Sequence, residues 1–400
     1  MRSERGDRPD SGIRVVVVAH GPPLKGGIAT VALDLVEDPG LNAEFEMVFL
    51  NTAQNDDQRG KLALENVKRA VLDAVGTFRA ARPGSVVHSH SVQYPWPVAW
   101  RQVAIAVAAR ARGAAVLLHN HAQPPYMEPP GGWKVGRANR WAFAVLDHLV
   151  DANILIAAAG EPNLRQYMAT VSLPVVHNSA VVGDMPQSSA VHEPPVVLFI
   201  GELLERKGVI VLLDALDLLA GRGIDGFELR ILGDNRPGLD PDKDRMVAEI
   251  TARGHGAAMT GPVDRLEVYR HLSEADLYVF PTYTEGQPFT VIEALATGVP
   301  IVASDIQAIS NMIEDGTHGR LVPTGDAAAF AAAIEELLAR PDERRAISTA
   351  NRELALRRFD RSVFRDQLSE LYRRYGNREG RRHRRERRGD NRWDLSSVRR

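Results

Sequence analysis

The stretch DLYVFPTYTEGQPFTVIEALATGVPIVASD, residues 276–305, has the pattern of a strand, a loop, a helix and a second strand. Its two ends are apolar and rich in β-branched and aromatic residues, which is typical of buried strands. Pro288 suits the first helical position, and Gly298 followed by Pro300 ends the helix, so we predict a helix over 288–297. Two strands joined through a helix form a parallel unit, which indicates an α/β fold.

Apolar runs of strand length recur along the chain, with helical segments between them. They lie at 13–20, 45–50, 85–90, 114–121, 153–158, 196–201, 227–233, 276–281 and 299–305. Near-continuous apolar strands that alternate with helices are typical of parallel sheets covered on both faces. We therefore predict two doubly wound, Rossmann-like domains, whose strand ends face each other across a shared cleft.

The composition sets the broad class of protein. With 400 residues, 44% of them apolar and 25% charged, the chain has the size and character of a two-domain globular protein. The absence of cysteine excludes disulfides and thiolate metal sites and fits a reducing compartment. No apolar run approaches the roughly 20 residues of a membrane span, and no signal peptide is visible, so we expect a cytoplasmic protein.

Glu285 lies on the loop that leaves the strand at 276–281, and Gly286 allows this loop to turn tightly into the helix. Free N–H groups and the positive end of the helix dipole converge at such a helix start, which makes it an anion-binding position. The anion that this arrangement favours is a phosphate.

Glu293 is a second carboxylate, eight positions further on, inside an apolar helix. Its neighbours three and four residues away include Phe289, Ala296 and Thr297. A buried carboxylate without a partner is costly, so we expect it to accept hydrogen bonds from fixed donors such as sugar hydroxyls. The alternative is a structural salt bridge.

The spacing of Glu285 and Glu293, followed by GVPIVASDIQAISNMIEDGTHGRLV at 298–322, resembles the Glu-x7-Glu signature of family 4 glycosyltransferases, retaining enzymes of the GT-B fold. The resemblance implies that Glu293 holds the ribose of a nucleotide sugar and that Glu285 contacts the transferred sugar. It also implies that the donor's diphosphate is bound by backbone amides at the helix start. The residues concerned are Gly286, Gln287, Pro288, Phe289 and Thr290.

The segment IGELLERKGVIVLLDAL, 200–216, resembles the family's pyrophosphate-binding segment. Lys207 fits the lysine that neutralises the leaving diphosphate. Glu202 stands where the family often has an arginine, and we expect Arg206 to replace that basic contact. Asn311 also departs from the family, in which a glutamate is common at this place.

In the first domain, Gly26 and Gly27 let the backbone come close to a ligand, and the pair resembles the family's loop beside the donor phosphate. His121 matches the family's histidine after the fourth strand, and the resemblance places it near the reacting carbon of the transferred sugar. His119 points the same way by strand alternation.

His88 and His90 lie at the end of the third strand, where we expect them to shape the acceptor side. A histidine pair suggests zinc, but the sequence offers no convincing third and fourth ligand. We therefore predict no metal site, and no cofactor beyond the nucleoside diphosphate sugar itself.

The segment 123–146 mixes prolines and aromatic residues with basic side chains. They include Trp133, Lys134, Arg137, Arg140 and Trp141. Such a mixture suits contact with an anionic membrane surface, or an aromatic wall that binds a glycan. The alternative is that Trp141 is an ordinary core residue. The end of the chain, 373–400, has twelve arginines against four acids and is too charged to fold, so it could also touch an anionic surface. No nucleic-acid partner is expected.

The domain boundaries follow from these assignments. We predict an acceptor-side domain over 1–180, a linker over 181–195 that is rich in proline and serine, and a nucleotide-sugar-binding domain over 196–360. By resemblance, 361–375 forms a terminal helix that crosses back to the first domain, and 376–400 is a disordered, arginine-rich tail.

The function that the resemblance implies is a retaining hexosyltransferase of polysaccharide biosynthesis. It would use a UDP- or GDP-sugar and a hydroxyl on a glycan, a lipid-linked or a small-molecule acceptor, in the cytoplasm or peripherally at the inner membrane face. Two alternatives stay open: a nucleotide-sugar epimerase of similar fold, and a catalytically silent nucleotide-sugar-binding protein.

Overall fold

The computed structural model describes residues 11–22, 24, 26–52, 64–92, 96–121, 136–189, 191–238 and 240–376, without the side chains of 64–66. The chain divides into two compact units, Met1–His177 with Phe364–Arg400, and Asn178–Val363. The segment 181–195, predicted as a linker, lies within the second unit. The tail 377–400 lies outside the described residues, as do Trp133 and Lys134.

The first unit is built on a five-stranded parallel sheet of order β2-β1-β3-β4-β5. The strands are β1 Arg14–Ala19, β2 Glu46–Asn51, β3 Val86–Ser91, β4 Ala115–Asn120 and β5 Ala152–Leu155. The helices are α1 Gly27–Val36, α2 Pro39–Glu44, α3 Leu64–Ala80, α4 Trp96–Ala111, α5 Arg137–Leu149, α6 Glu161–Arg165 and α14 Arg361–Gly376, which begins in the second unit. Every residue of β3, β4 and β5 is buried, as in a parallel sheet that is covered on both faces, although β3 carries histidines and serines as well as valines.

The second unit contains a six-stranded parallel sheet of order β11-β10-β9-β6-β7-β8. Its strands are β6 Val196–Ile200, β7 Glu228–Leu232, β8 Met259–Gly261, β9 Leu277–Phe280, β10 Ile301–Ser304 and β11 Gly319–Val322. The helices are α7 Val209–Gly221, α8 Pro241–Ala252, α9 Arg265–Ser273, α10 Phe289–Thr297, α11 Gln307–Ser310, α12 Ala327–Leu338 and α13 Pro341–Arg358. Both sheet faces are covered by a hydrophobic core.

The helix predicted at 288–297 begins one residue later than expected. Pro288 is its N-cap, with φ −70° and ψ 125°, and Gly298 ends it in the left-handed region at φ 82°. Seven of its nine residues are buried. The helix therefore lies inside the second unit with only its amino end open to a ligand.

Within the described part of the chain, no helix has both the length and the apolar character needed to cross a membrane.

Candidate active site

The second sheet changes its direction of winding between β6 and β9. β6 lies next to β9 in the sheet, although β7 and β8 separate the two strands in sequence. The chain continues from β6 to β7 on one side of this point and from β9 to β10 on the other, so the loops that follow β6 and β9 lie at the kind of switch point where open α/β sheets bind ligands. The two loops carry Lys207 and Glu285.

Lys207 and Glu285 form an ion pair between these loops. Nζ of Lys207 lies 2.5 Å from Oε1 of Glu285, and the two side chains are only 14% and 11% exposed. The hydroxyl of Thr282 donates to the same carboxylate oxygen at 3.0 Å, and the ammonium lies 5.5 Å from the ring centroid of Phe280. A nearly buried ammonium is thus held by one carboxylate and one aromatic face, with further N–H donors for an anion.

A glycine fixes the distance between the two loops. Gly208 has φ 77°, and a Cβ there would lie 1.9 Å from the carbonyl oxygen of Pro281. The N–H of Tyr283 donates to the carbonyl of Arg206 at 2.9 Å. The backbones therefore approach as closely as two chains can, and this contact holds Lys207 beside Glu285.

The amino end of α10 lies beside this pair. Among the described residues, no side chain caps this helix, and its first turn holds no acid. Gln287 is held by Asn178, whose backbone N–H donates to Oε1 at 2.6 Å and whose side-chain amide donates to the Gln287 carbonyl at 3.2 Å. A rigid, uncapped helix start of this kind favours an anion.

Glu293 is 6% exposed on the buried side of α10. Nε of Arg265, at the start of α9, lies 3.5 Å from its Oε1, so the salt bridge considered from the sequence is present. Tyr278 lies near both carboxylates: its pKa is raised well above the usual value, first by burial and then by the charges of Glu285 and Glu293. The negative charges of Glu285 and Glu293 therefore both raise the pKa of the same buried tyrosine, Tyr278.

The basic residue expected to replace the family's arginine is engaged elsewhere. Arg206 pairs with Glu202 on the surface, where the two side chains are 47% and 65% exposed. Glu202, which stands where the family often has an arginine, neutralises the charge of Arg206. A contribution of Arg206 to donor binding therefore stays a prediction. Asn311, the other departure, is the C-cap of α11.

Gly26 and Gly27 lie where β1 is connected to α1. Gly26 is the exposed N-cap of this helix, with φ 141°, a value that favours glycine, and Gly27 is its first residue. Among the described residues, no side-chain cap and no acid in the first turn satisfy the helix start. The geometry is compatible with the predicted phosphate loop, whose ligand stays a prediction.

Four imidazoles lie together at the ends of β3 and β4. Adjacent strands place His90 opposite His119, and alternation brings the next histidine of each strand to the same face. Ring centroids lie 4.3 to 5.4 Å apart for the pairs 88–90, 88–119, 90–119, 90–121 and 119–121. The hydrogen bond of 2.9 Å between Nδ1 of His90 and Nε2 of His121 adds the predicted catalytic histidine to this cluster.

Burial holds these imidazoles neutral. It lowers the pKa of His121 to about 3, and it lowers the pKa of the other three well below the usual value, with the neighbouring rings as a second cause. At neutral pH, His121 is therefore a neutral hydrogen-bonding group rather than a cation.

The structure also brings to these sites residues that no sequence motif singled out. Arg265 and Tyr278 join the predicted acids, and Asn178 supports the loop before α10. His119 joins the pair His88 and His90 as a potential third metal ligand, whereas no convincing third and fourth ligand were expected from the sequence. The signal for His119 was present in the sequence as two His-x-His patterns, at 88–90 and 119–121, on strands that are adjacent in the sheet.

Comparison with known proteins finds a family match that lies within the second unit. Residues 194–340 match the family model of glycosyl transferases group 1. A phosphatidyl-myo-inositol mannosyltransferase of Mycobacterium leprae is 35% identical over 179 residues, which are 44% of this chain and 46% of that protein. The chain thus spans about half the length of this curated relative. The predicted resemblance to family 4 glycosyltransferases is confirmed.

Solved structures agree with the fold. A sucrose-phosphate synthase from Thermosynechococcus elongatus has a TM-score of 0.71 at 20% identity, covering 90% of this chain and 98% of that one. Anabaena HepE in complex with UDP and glucose has a TM-score of 0.69 at 16% identity, covering 90% and 99%. The predicted α/β fold with two parallel sheets, that of GT-B glycosyltransferases, is confirmed.

Proposed function

We propose that the chain is a family 4 glycosyltransferase of GT-B fold and, more specifically, a retaining hexosyltransferase. Its donor is a UDP- or GDP-sugar, and its acceptor is a hydroxyl on a glycan, a lipid-linked or a small molecule. The names of two similar proteins support this reading, since one is a mannosyltransferase and the other is bound to UDP and glucose.

The observation that carries the proposal is the Lys207–Glu285 pair beside the uncapped start of α10. A diphosphate placed there meets an ammonium and the free N–H groups of a helix amino end. In this proposal, Glu285 orients Lys207 in the free enzyme and contacts the transferred sugar in the complex.

We propose that transfer proceeds with departure of the diphosphate from the anomeric carbon while the acceptor hydroxyl approaches from the same face. The carbon–oxygen bond to the diphosphate breaks, a bond to the acceptor oxygen forms, and the acceptor proton passes to a diphosphate oxygen. Lys207 and the amides before α10 stabilise the developing negative charge, so the diphosphate is held without a metal. The anomeric configuration is kept because attack and departure share one face.

Glu293 is assigned to the ribose hydroxyls of the donor. Arg265 lies against its carboxylate, and in this proposal the carboxylate accepts hydrogen bonds from the ribose diol when the donor binds. Replacing Glu293 with Gln should weaken donor binding by about 10-fold or more, measured as a smaller rise of the melting temperature with UDP- or GDP-sugars. Glu335→Gln, an exposed change on α12, is the control. An unchanged donor shift in Glu293→Gln would remove the ribose assignment.

The activity itself is tested by donor turnover. We expect one of a panel of UDP- and GDP-sugars to raise the melting temperature, and its slow hydrolysis to release free diphosphate even without acceptor. Glu285→Gln should reduce this release by about 100-fold or more, while Glu335→Gln leaves it unchanged. Once an acceptor is found, NMR of the product reports whether the anomeric configuration is retained. Binding without any turnover would instead favour the silent nucleotide-sugar-binding protein.

We further propose that the enzyme meets its acceptor at an anionic membrane surface on the cytoplasmic side. Val67 and Leu72 on α3 are 56% and 57% exposed, and Trp141 on α5 is 69% exposed rather than a core residue. Arg137 and Arg140 are exposed on the same helix as Trp141. Apolar and basic side chains of this kind partition into lipid headgroups.

Flotation with anionic liposomes tests the membrane contact. The intact protein should float with the vesicles, and the double change Arg137→Ala and Arg140→Ala should reduce the bound fraction several-fold. Arg222→Ala, an exposed change on the second unit, serves as the control. Failure of the intact protein to bind would rule out the contact without affecting the donor site.

A further inference from the structure

The histidine cluster of the first unit has ring nitrogens whose hydrogen-bonding capacity is not used. Among the residues that the structure describes, no partner is found for Nε2 of His88, Nε2 of His90 or either ring nitrogen of His119. His88 and His119 are fully buried, and His90 is 4% exposed. Buried polar atoms are almost always paired, so several orphaned nitrogens in one cluster point to a ligand.

The other ring nitrogens of the first two histidines are engaged, and this engagement favours bare Nε2 atoms. Nδ1 of His88 lies 2.7 Å from the hydroxyl of Tyr372, and Nδ1 of His90 lies 2.9 Å from Nε2 of His121. When each Nδ1 carries the proton and donates it, the Nε2 lone pair is free. Metal-binding histidines are oriented in this way, by a hydrogen bond from the second ring nitrogen.

The geometry points to a metal site. One ring nitrogen from each of His88, His90 and His119 lies within 4.8 Å of one from each of the others. We propose that these three imidazoles bind a divalent transition metal of the zinc class, with His121 and Tyr372 as hydrogen-bond partners of the ligands.

The set of ligands selects the kind of ion. Three neutral imidazoles suit zinc and its neighbours in the first transition row, whereas magnesium and calcium prefer oxygen ligands. Zn–N bonds of about 2.05 Å put tetrahedral ligand nitrogens about 3.3 Å apart, so the rings close on the ion by small rotations. Three protein ligands leave one coordination position for water or another small molecule.

This site is distinct from the proposed donor-binding residues of the second unit, and the ion is not needed to hold the diphosphate. All three ligands are on strands β3 and β4 of the first unit. Tyr372, whose hydroxyl meets His88, comes from α14 near the end of the chain. The ion would therefore tie the sheet of the first unit to its last helix through His88.

The test uses the full-length protein without an affinity tag, stripped of metal and then titrated with Zn²⁺ or Co²⁺. We expect one equivalent to be retained after dialysis, visible d–d absorption of tetrahedral Co²⁺, and a rise of the melting temperature of roughly 5 °C with excess Zn²⁺. His119→Asn should abolish all three responses. His148→Asn, on the exposed end of α5, is the matched control and should behave like the unmodified protein.

A graded variant guards against a failure to fold. His121→Asn keeps the three ligands and removes the partner of His90, so it should bind one equivalent with about 10- to 100-fold lower affinity. Far-UV circular dichroism checks the fold of each variant. Failure of the unmodified protein to retain or respond to either metal would overturn the proposal. Equal binding by folded His119→Asn, or loss of binding in His148→Asn, would do so too, because the ion would then lie elsewhere.

Discussion

The carboxyl edges of the two sheets hold different polar groups: two ion pairs in the second unit and a cluster of neutral imidazoles in the first. Lys207 faces Glu285, and Arg265 faces Glu293, at the carboxyl edge of the second sheet. At the corresponding edge of the first sheet, the cluster of His88, His90, His119 and His121 has orphaned nitrogens and depressed pKa values. A buried charge demands a partner, while a neutral imidazole keeps a lone pair for a metal. In the two proposals made above, the same kind of sheet edge would bind a diphosphate in one unit and a metal cation in the other.

The largest effect is expected from breaking a charge pair. Lys207→Met removes the ammonium and leaves Glu285 nearly buried with the hydroxyl of Thr282 as its remaining donor. We expect donor turnover to fall by about 1000-fold, because the departing diphosphate loses its cation. Arg222→Met, which breaks an exposed pair, should leave turnover unchanged. Normal turnover in Lys207→Met would show that the pair is structural only.

A smaller effect is expected from separating the two loops that hold the pair. Gly208→Ala adds a Cβ 1.9 Å from a backbone oxygen at a positive φ, and should destabilise the second unit by about 3 kcal/mol. Gly223→Ala is the matched control: its φ is 74°, but nothing lies within 4 Å of the added carbon among the described atoms. That change should cost about 1 kcal/mol. If denaturant unfolding shows the same loss of stability for Gly208→Ala and Gly223→Ala, the contact between the two loops is not tight.

In the first unit, a measurable loss of stability is expected from removing the hydroxyl of Tyr372. Tyr372→Phe removes the partner of His88 Nδ1 and leaves another buried nitrogen unpaired, with an expected cost of about 1 to 2 kcal/mol in the free energy of unfolding. Tyr283→Phe, on an exposed tyrosine of the second unit, is the control. Equal stability of Tyr372→Phe and the unmodified protein would indicate that the phenol does not orient the imidazole.

The smallest effect is expected at the exposed pair of Arg206 and Glu202. Because both side chains are about half exposed or more, Arg206→Gln should change the free energy of unfolding by less than about 0.5 kcal/mol. Its effect on donor affinity decides whether the arginine contributes at all. A drop of 10-fold or more would show that Arg206 leaves Glu202 to bind phosphate, and an unchanged affinity would restrict the cation to Lys207.

Most of the fold follows from local pattern. Continuous apolar runs predicted nine strands, and Pro288 with Gly298 predicted α10 to within one residue. The strand β11 was missed, because it has four residues, two of them only half-buried, and includes Arg320. The strand β8 is also absent from the predicted runs, because it has only three residues, of which only Gly261 is buried.

The acids and the lysine of the candidate site were selected from the sequence, but their pairing was not predicted. Glu285 and Lys207 lie 78 positions apart, and only the order of β6 and β9 in the sheet brings them together. Likewise, the two His-x-His patterns are visible in the sequence, but their merger depends on the register that sets His90 beside His119. Sheet order and register are properties of the folded chain, and one sequence does not contain them in readable form.

The last helix gives the first unit an unusual place in the order of synthesis. Tyr372 meets His88, which lies 284 positions earlier, and its ring packs edge-on at 5.3 Å from that of Phe45. On the ribosome, the second unit needs nothing made after Val363, whereas the first must wait for α14 to emerge. The half of the protein that is translated first is therefore completed last, because its sheet lacks the contacts of α14 until residues 361–376 have been made.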